Sequence, residues 1–291
     1  MILQQTFNGL ALGMAYALIA VGYSLVFGIL RLVNFSHGAV YAFGAHIVIL
    51  LVSLNFGLVP AIILGVVLTG LLGILIDKMA LSPLRAKKSP AISSLITTIG
   101  ISYIIQNLLM MAFGSEKKPF PLLFENKMIS FLGAKINTMQ IVMLAVSILL
   151  LVLLTILVKF SKVGLAMRTV EQNETVSKLM GINTNFIIAF TFFLGGASAA
   201  IAGVLISGYY QIVYPTMGFM VGLKAFAAAV LGGIGIFHGS IAGGLIIGVA
   251  EALAATWFGS AYRDSVAFII LILVLIVRPS GLFGKKGIEK V

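Results

Sequence analysis

The feature that most constrains this chain is a series of unbroken apolar runs joined by short polar stretches. Runs long enough to cross a hydrocarbon layer occupy residues 6–30, 38–54, 58–76, 91–113, 138–158, 186–207, 218–236 and 239–258. A ninth, residues 265–277, would rise only about 20 Å as a helix. It is bracketed by Arg263, Asp264 and Arg278, whose stems reach the interfaces, so it counts as a span. Charged residues are 9% of the chain, against roughly 25% in a soluble domain, and mean hydropathy is +1.16, which excludes a water-soluble globule. An outer-membrane barrel needs period-two alternation, which these runs lack. The expectation is an all-α integral membrane protein, a polytopic helical bundle of about eight or nine segments, forming one membrane domain over residues 1–291. Gly232, Gly233, Gly235 and Gly239 interrupt the stretch 218–258, which is either two crossings or a broken, partly re-entrant hairpin.

The net charge of +11 comes from 19 Lys and Arg against 8 Asp and Glu. Because the basic residues sit between apolar runs, they speak for orientation in a bilayer and not for nucleic acid. Lys78, Arg85, Lys87 and Lys88 fall in 77–90; Lys159, Lys162, Arg168 and Lys178 fall in 159–185; Arg278, Lys285, Lys286 and Lys290 lie in the tail. With Arg31, all share one side if the chain crosses nine times from an external N-terminus. The positive-inside rule makes that side, with the C-terminus, cytoplasmic. Loop 114–137 then lies outside, where Pro119 and Pro121 suggest an ordered cap despite its four lysines. The first 30 residues carry no Lys or Arg, so the opening run is read as a retained span, not a signal peptide.

No energy source is visible. The nearest approach to a phosphate-binding loop, Gly284-Lys285-Lys286, has Pro279 where the first glycine belongs and no Ser or Thr after the lysine. There is no cysteine, and His37, His46 and His238 lack carboxylate-rich company. No catalytic residue, metal or cofactor is expected: the chain reads as a conduit and not an enzyme. Within it, residues 162–183 (KVGLAMRTVEQNETVSKLMGIN) place Ala166, Met167, Val170, Val176, Leu179 and Met180 at helical spacing, with Gly181 and Asn183 as stop signals. Such an amphipathic helix either fits a groove on a cytosolic partner or lies in the headgroup layer.

Around His37, the segment Ser36-His37-Gly38-Ala39 is echoed at Phe237-His238-Gly239-Ser240, each opening a small-residue helix. The echo is either chance or a structural repeat whose broken helices line a path. Asn34 and Ser36 are candidates to satisfy backbone groups freed at the first break. His37 and His238 either border the path or stabilise sharp turns. Glu251, an ionisable group in an apolar helix, either lines the path or sits near the outer interface with Lys224 or Arg263. Lys224 is expected to snorkel to the outer surface. The pairs Gly9/Gly13, Gly218/Gly222 and Gly244/Gly248 read as close helix packing, either within the subunit or against a partner subunit.

Three stretches, GLKAFAAAVLGGIGIFHGSIAGGLIIGVAEAL (222–253), GLAMRTVEQNETVSKLMGIN (164–183) and GYSLVFGILRLVNFSHGAVYAFGA (22–45), together with the closing VRPSGLFG, resemble the permease subunit of branched-chain amino acid ABC importers. Urea and amide relatives share several of these motifs. The resemblance implies a Type II-like importer subunit in a bacterial or archaeal plasma membrane. Its partners would be a homologous permease, two cytosolic ATPases, an external substrate-binding protein and membrane lipid. It further implies that Gly164 to Gly181 is the coupling segment, with Gly164, Arg168, Glu171, Lys178 and Gly181 as candidate contacts. Glu171-Gln172-Asn173 departs from the Glu-Ala-Ala run of the coupling motif in many other importers. Asn34, Ser36, His37, Gly38, His238, Gly239 and Glu251 are candidates for the translocation path. The substrate would be leucine, isoleucine or valine; the alternatives are a urea, short-amide or other neutral amino acid permease, or an ion-driven secondary transporter. A membrane scaffold that transports nothing is a further rival.

Overall fold

The computed structural model describes residues 2–125, 127–131 and 133–284. Lys285, Lys286 and Lys290 of the basic tail lie outside the described residues. Each of the apolar runs forms a helix, because a backbone surrounded by hydrocarbon must satisfy its own hydrogen bonds. The long helices are α1 (Ile2–Leu30), α2 (His37–Ser53), α3 (Leu58–Ile76), α5 (Ala91–Phe113), α6 (Thr138–Phe160), α9 (Thr184–Tyr210), α10 (Met217–Gly232), α11 (Phe237–Trp257) and α12 (Arg263–Val277). Among the described residues seven helical stretches are long and apolar enough to span a membrane, while α2 and α10, of 17 and 16 residues, are shorter. The doubtful ninth run gains length from a 3-10 turn at Ser260–Tyr262, giving an 18-residue stretch.

Three short helices complete the set: α4 (Ser82–Ala86), which follows α3 through a π-helical turn at Asp77–Leu81, and α7 (Lys162–Gln172) and α8 (Glu174–Leu179) between α6 and α9. Asp77 is buried in that π turn and takes Arg85 at 2.7 Å, which ties α4 back onto α3. The only strands among the described residues are short. β1 (Lys118–Pro119) pairs antiparallel with β4 (Ile212–Val213), and β2 (Met128–Phe131) forms a hairpin with β3 (Ala134–Asn137). Phe120 is buried and its amide donates to the Gln211 carbonyl (3.0 Å), which ties the start of loop 114–137 to the end of α9.

The core is α1 and α9, most of whose length is buried, with α2, α10 and α11 packed around them; α3, α5, α6 and α12 expose much of their apolar surface. The packing is set by small residues. Gly9 and Gly13 of α1 meet Gly248 and Gly244 of α11, backbone to backbone. Gly38 of α2 meets Gly218 and Gly222 of α10 in the same way. The glycine-rich stretch 218–258 is a helix–turn–helix: α10 descends to Gly233 (φ 103) and Gly235 (φ 87), and α11 returns with Gly239 and Gly243 against the backbone of Gly232 and Ala228. The closing Pro-Ser-Gly-Leu-Phe-Gly segment caps α10, with the amides of Leu282 and Phe283 donating to the carbonyls of Leu231 (2.8 Å) and Gly232 (3.2 Å).

Candidate functional site

The break between α1 and α2 is built by local side-chain chemistry. Arg31 takes a left-handed conformation (φ 54) and ends α1. The Asn34 side-chain oxygen then accepts from the amide (3.1 Å) and hydroxyl (2.6 Å) of Ser36, while the Phe35 amide donates to the hydroxyl of Thr98 on α5 (3.2 Å). Asn34 thus satisfies one amide freed at the break, whereas the Ser36 hydroxyl is taken up by Asn34 and satisfies no backbone group. Residues 31–36 climb back along α1, so α2 starts beside Gly22 and Tyr23, about 10 Å inside the end of α1. His37 packs edge-on against Tyr23, with ring centroids 4.7 Å apart; it is buried, and its Nε2 has no partner of ordinary hydrogen-bond geometry among the described residues.

Beside this break lies a cavity of about 200 Å³ bordered by Tyr23, Phe35 and Gly38, by Ser102 and Gln106 of α5, and by Gly222 of α10. Tyr103 and Phe219, each 58% exposed, flank it. Sequence reading missed Tyr23, Ser102 and Gln106. The signal was present, since Ser94, Thr98, Ser102 and Gln106 recur every fourth residue through a largely apolar run and so mark one helix face. The second His-Gly segment is not part of this site. His238 is exposed and packs edge-on against Phe283 (5.6 Å), and Gly239 lies in the α10–α11 turn.

Glu251 belongs to a third place. It is 1% exposed, and its Oε1 lies 2.9 Å from Lys224 Nζ and 2.5 Å from Arg263 Nε; the Tyr16 hydroxyl donates to the same oxygen at 3.4 Å. Lys224 also meets Asp264 at 2.5 Å. Both partners named from sequence are therefore present. Lys224, 5% exposed, is held inside the bundle instead of snorkelling to the surface, because Glu251 and Asp264 supply a counter-charge there.

The segment 162–183 corrects one expectation: it is two helices, not one. Asn173, extended at φ −159 and ψ 109, ends α7, and its side chain accepts from the amides of Thr175 (3.0 Å) and Val176 (3.1 Å) to cap α8. The apolar stripe divides accordingly. Met167 and Val170 are buried against the bundle, whereas Leu179 and Met180, with Val176 beside them, project from α8. Gly164 lies so close to the carbonyls of Leu157 and Val158 that a side chain has no room. Arg168 donates to the carbonyls of Val158 and Lys159 (2.9 Å to the latter), closing the end of α6. The Glu171 carboxylate lies against Gly28 near the end of α1. Lys178 pairs with Glu174 at 2.6 Å, and Gly181 (φ 82) terminates α8.

A bundle of apolar helices with a broken helix beside an uncharged cavity, and a polar helix pair projecting at one end, is the architecture of a membrane transport subunit. The family model "Branched-chain amino acid transport system / permease component" matches residues 5–275. The chain is 41% identical to the high-affinity branched-chain amino acid transport system permease protein LivH of Salmonella typhimurium, covering 99% of this chain and 97% of that one. It is equally similar, at 41%, to BraD of Pseudomonas aeruginosa, with 99% and 98% covered. A probable branched-chain amino acid transport permease of Methanocaldococcus jannaschii is 30% identical over 92% and 88%. The chain belongs to the branched-chain amino acid transport permease family.

Proposed function

We propose that this chain is one of two homologous permease subunits of an ATP-driven importer for leucine, isoleucine and valine in a bacterial or archaeal plasma membrane. An external binding protein delivers the amino acid, and two cytosolic ATPases supply the work. The observation that carries this reading is the cavity at the α1–α2 break. Ser102, Tyr103 and Gln106 of α5 put polar groups on this cavity, and polar groups at membrane depth belong in a protein interface or a watered path. The face formed by α5 and the start of α10 therefore meets the sister permease, with the path between them. His238, Gly239 and Glu251 act away from that face, in the α10–α11 turn and the ionic cluster.

Coupling falls to α7 and α8. The exposed Val176, Leu179 and Met180 offer an apolar end to an ATPase groove, with Lys178 beside them, while Gly164, Arg168 and Glu171 seat the segment on α6 and α1. Gly181 returns the chain into α9. An ATPase that binds one conformation of this segment more tightly than another biases the path by that difference in affinity. The test is affinity purification from membranes followed by reconstitution. Two nucleotide-binding proteins and a sister permease are expected to co-purify, and vesicles holding the set with its binding protein are expected to take up leucine only with ATP. Uptake by this subunit alone on a sodium or proton gradient would overturn the reading.

A further inference from the structure

We propose that the cavity at the α1–α2 break is a transit site for the zwitterionic head of the transported amino acid: its carboxylate docks on the free amides at the start of α2 and on the Tyr23 hydroxyl, and its ammonium on Ser102 and Gln106. This rests on the permease reading above and adds a chemistry to it. Helix α2 starts inside the bundle, and its first-turn amides point back along the axis toward the break. Its N-cap, Ser36, makes no side-chain capping bond, since its hydroxyl is turned to Asn34. Among the described residues the amides of Gly38 and Ala39 have no acceptor, while the flanking amides of His37 and Val40 donate to the carbonyls of Asn34 (3.2 Å) and Ser36 (3.0 Å). An uncapped helix start in a low-dielectric surrounding attracts an anion, and interrupted helices in transporters present such ends to anionic substrate groups.

The second observation is independent of the helix. Tyr23 is 5% exposed, borders the cavity, and its hydroxyl has no hydrogen-bond partner among the described residues. The ring is buried while the hydroxyl keeps access to the cavity, so a ligand or water there is what can satisfy it. Across the cavity, Ser102 and Gln106 are likewise without partners and supply oxygen acceptors. No Asp, Glu, Lys or Arg borders it, so a solute with net charge would find no counter-ion, whereas a zwitterion is matched at both ends. Phe35, Ile99 and Leu223 line the remainder and suit an aliphatic side chain. A volume of about 200 Å³ holds roughly seven waters at about 30 Å³ each, the scale of one small amino acid. With only neutral partners the site binds weakly, as a way station requires.

The experiment uses the complete importer in vesicles and diazirine-bearing leucine. Photolysis during ATP-driven uptake is expected to label α1, α2, α5 or α10 at cavity residues. Leucine should compete for labelling, and 3-methylbutylamine, which is leucine without its carboxylate, should not. Tyr23→Phe keeps the ring against His37 and removes one hydrogen bond, so labelling is expected to fall about five- to tenfold. Label found only elsewhere, equal competition by the amine, or unchanged labelling in Tyr23→Phe would each overturn the carboxylate site while leaving the importer reading intact. Failure of the unaltered vesicles to take up leucine would sink the importer reading and this site with it.

Discussion

Glu251 receives two cations and a hydroxyl on one carboxylate oxygen, and the cluster it anchors joins α1, α10, α11 and α12. Lys224, Glu251, Arg263 and Asp264 sum to zero charge, which is what allows them to sit at the edge of an apolar bundle. Removing one partner strands the others. Glu251→Ala is expected to lower the thermal midpoint of the purified protein in detergent, by a loss on the order of 3–5 kcal/mol. The double variant Lys224→Met/Glu251→Leu leaves Arg263 and Asp264 as a neutral pair and should recover most of that loss. A double variant no more stable than Glu251→Ala would show that the cluster is not a compensated set. Residue-level reading of the sequence found both partners of Glu251, because an ionisable group in an apolar run needs a counter-charge within a turn or two of a neighbouring helix end. It misplaced Lys224, since snorkelling depends on where the counter-charge lies, and that is set by tertiary packing.

At the scale of elements, the α6–α7–α8 segment is held by bonds that sequence periodicity does not reveal. The apolar spacing through 166–180 is continuous enough for one helix, yet Asn173 ends α7 because its side chain offers the amides of Thr175 and Val176 a better start. The Glu171-Gln172-Asn173 stretch was visible as a departure from the coupling motif of many other importers; its consequence, a break, was not. Asn173→Ala is expected to remove roughly 1 kcal/mol from α8 and to weaken substrate-stimulated ATP hydrolysis by the reconstituted importer, with membrane insertion unchanged. Unaltered stimulation would mean that the break plays no part in coupling. Arg168→Glu places a carboxylate on carbonyls that already carry partial negative charge, at the end of α6. It should reduce co-purification of the ATPases, and Arg168→Lys should restore part of it; equal yields from all three proteins would count against a seating role. In the α10–α11 turn, Gly239 meets the backbone of Gly232 with no space for a side chain. Gly239→Val is therefore expected to cut leucine uptake and lower the yield of folded protein together; normal uptake would show the turn to be loosely packed.

Across the whole molecule, hydropathy made the helices legible to within a few residues, since the bilayer leaves the backbone few choices. The glycine pairs predicted close helix packing, and the structure places it between α1 and α11 and between α2 and α10, because only small residues let backbones approach this closely. The cavity was less legible, because it is made by the depth at which α2 starts and by polar residues on α5, neither of which shows in a hydropathy run. Sidedness remains a matter of charge, and the structure supplies the markers to test it. Gln4 at the start of α1 bonds to the Lys135 backbone (2.7 Å), while Glu171 touches Gly28, about 36 Å further along that helix. The 114–137 cap and the α7–α8 pair therefore lie at opposite ends. The chain has no cysteine, so single substitutions report without background. Met128→Cys, in the β2–β3 hairpin, replaces a residue that is 69% exposed, and Lys178→Cys replaces an exposed one on α8. A membrane-impermeant maleimide on intact cells is expected to label Met128→Cys and to reach Lys178→Cys only after permeabilisation. The reverse pattern would put α8 on the outer side, beyond the reach of any cytosolic ATPase, and the coupling assignment would fall with it.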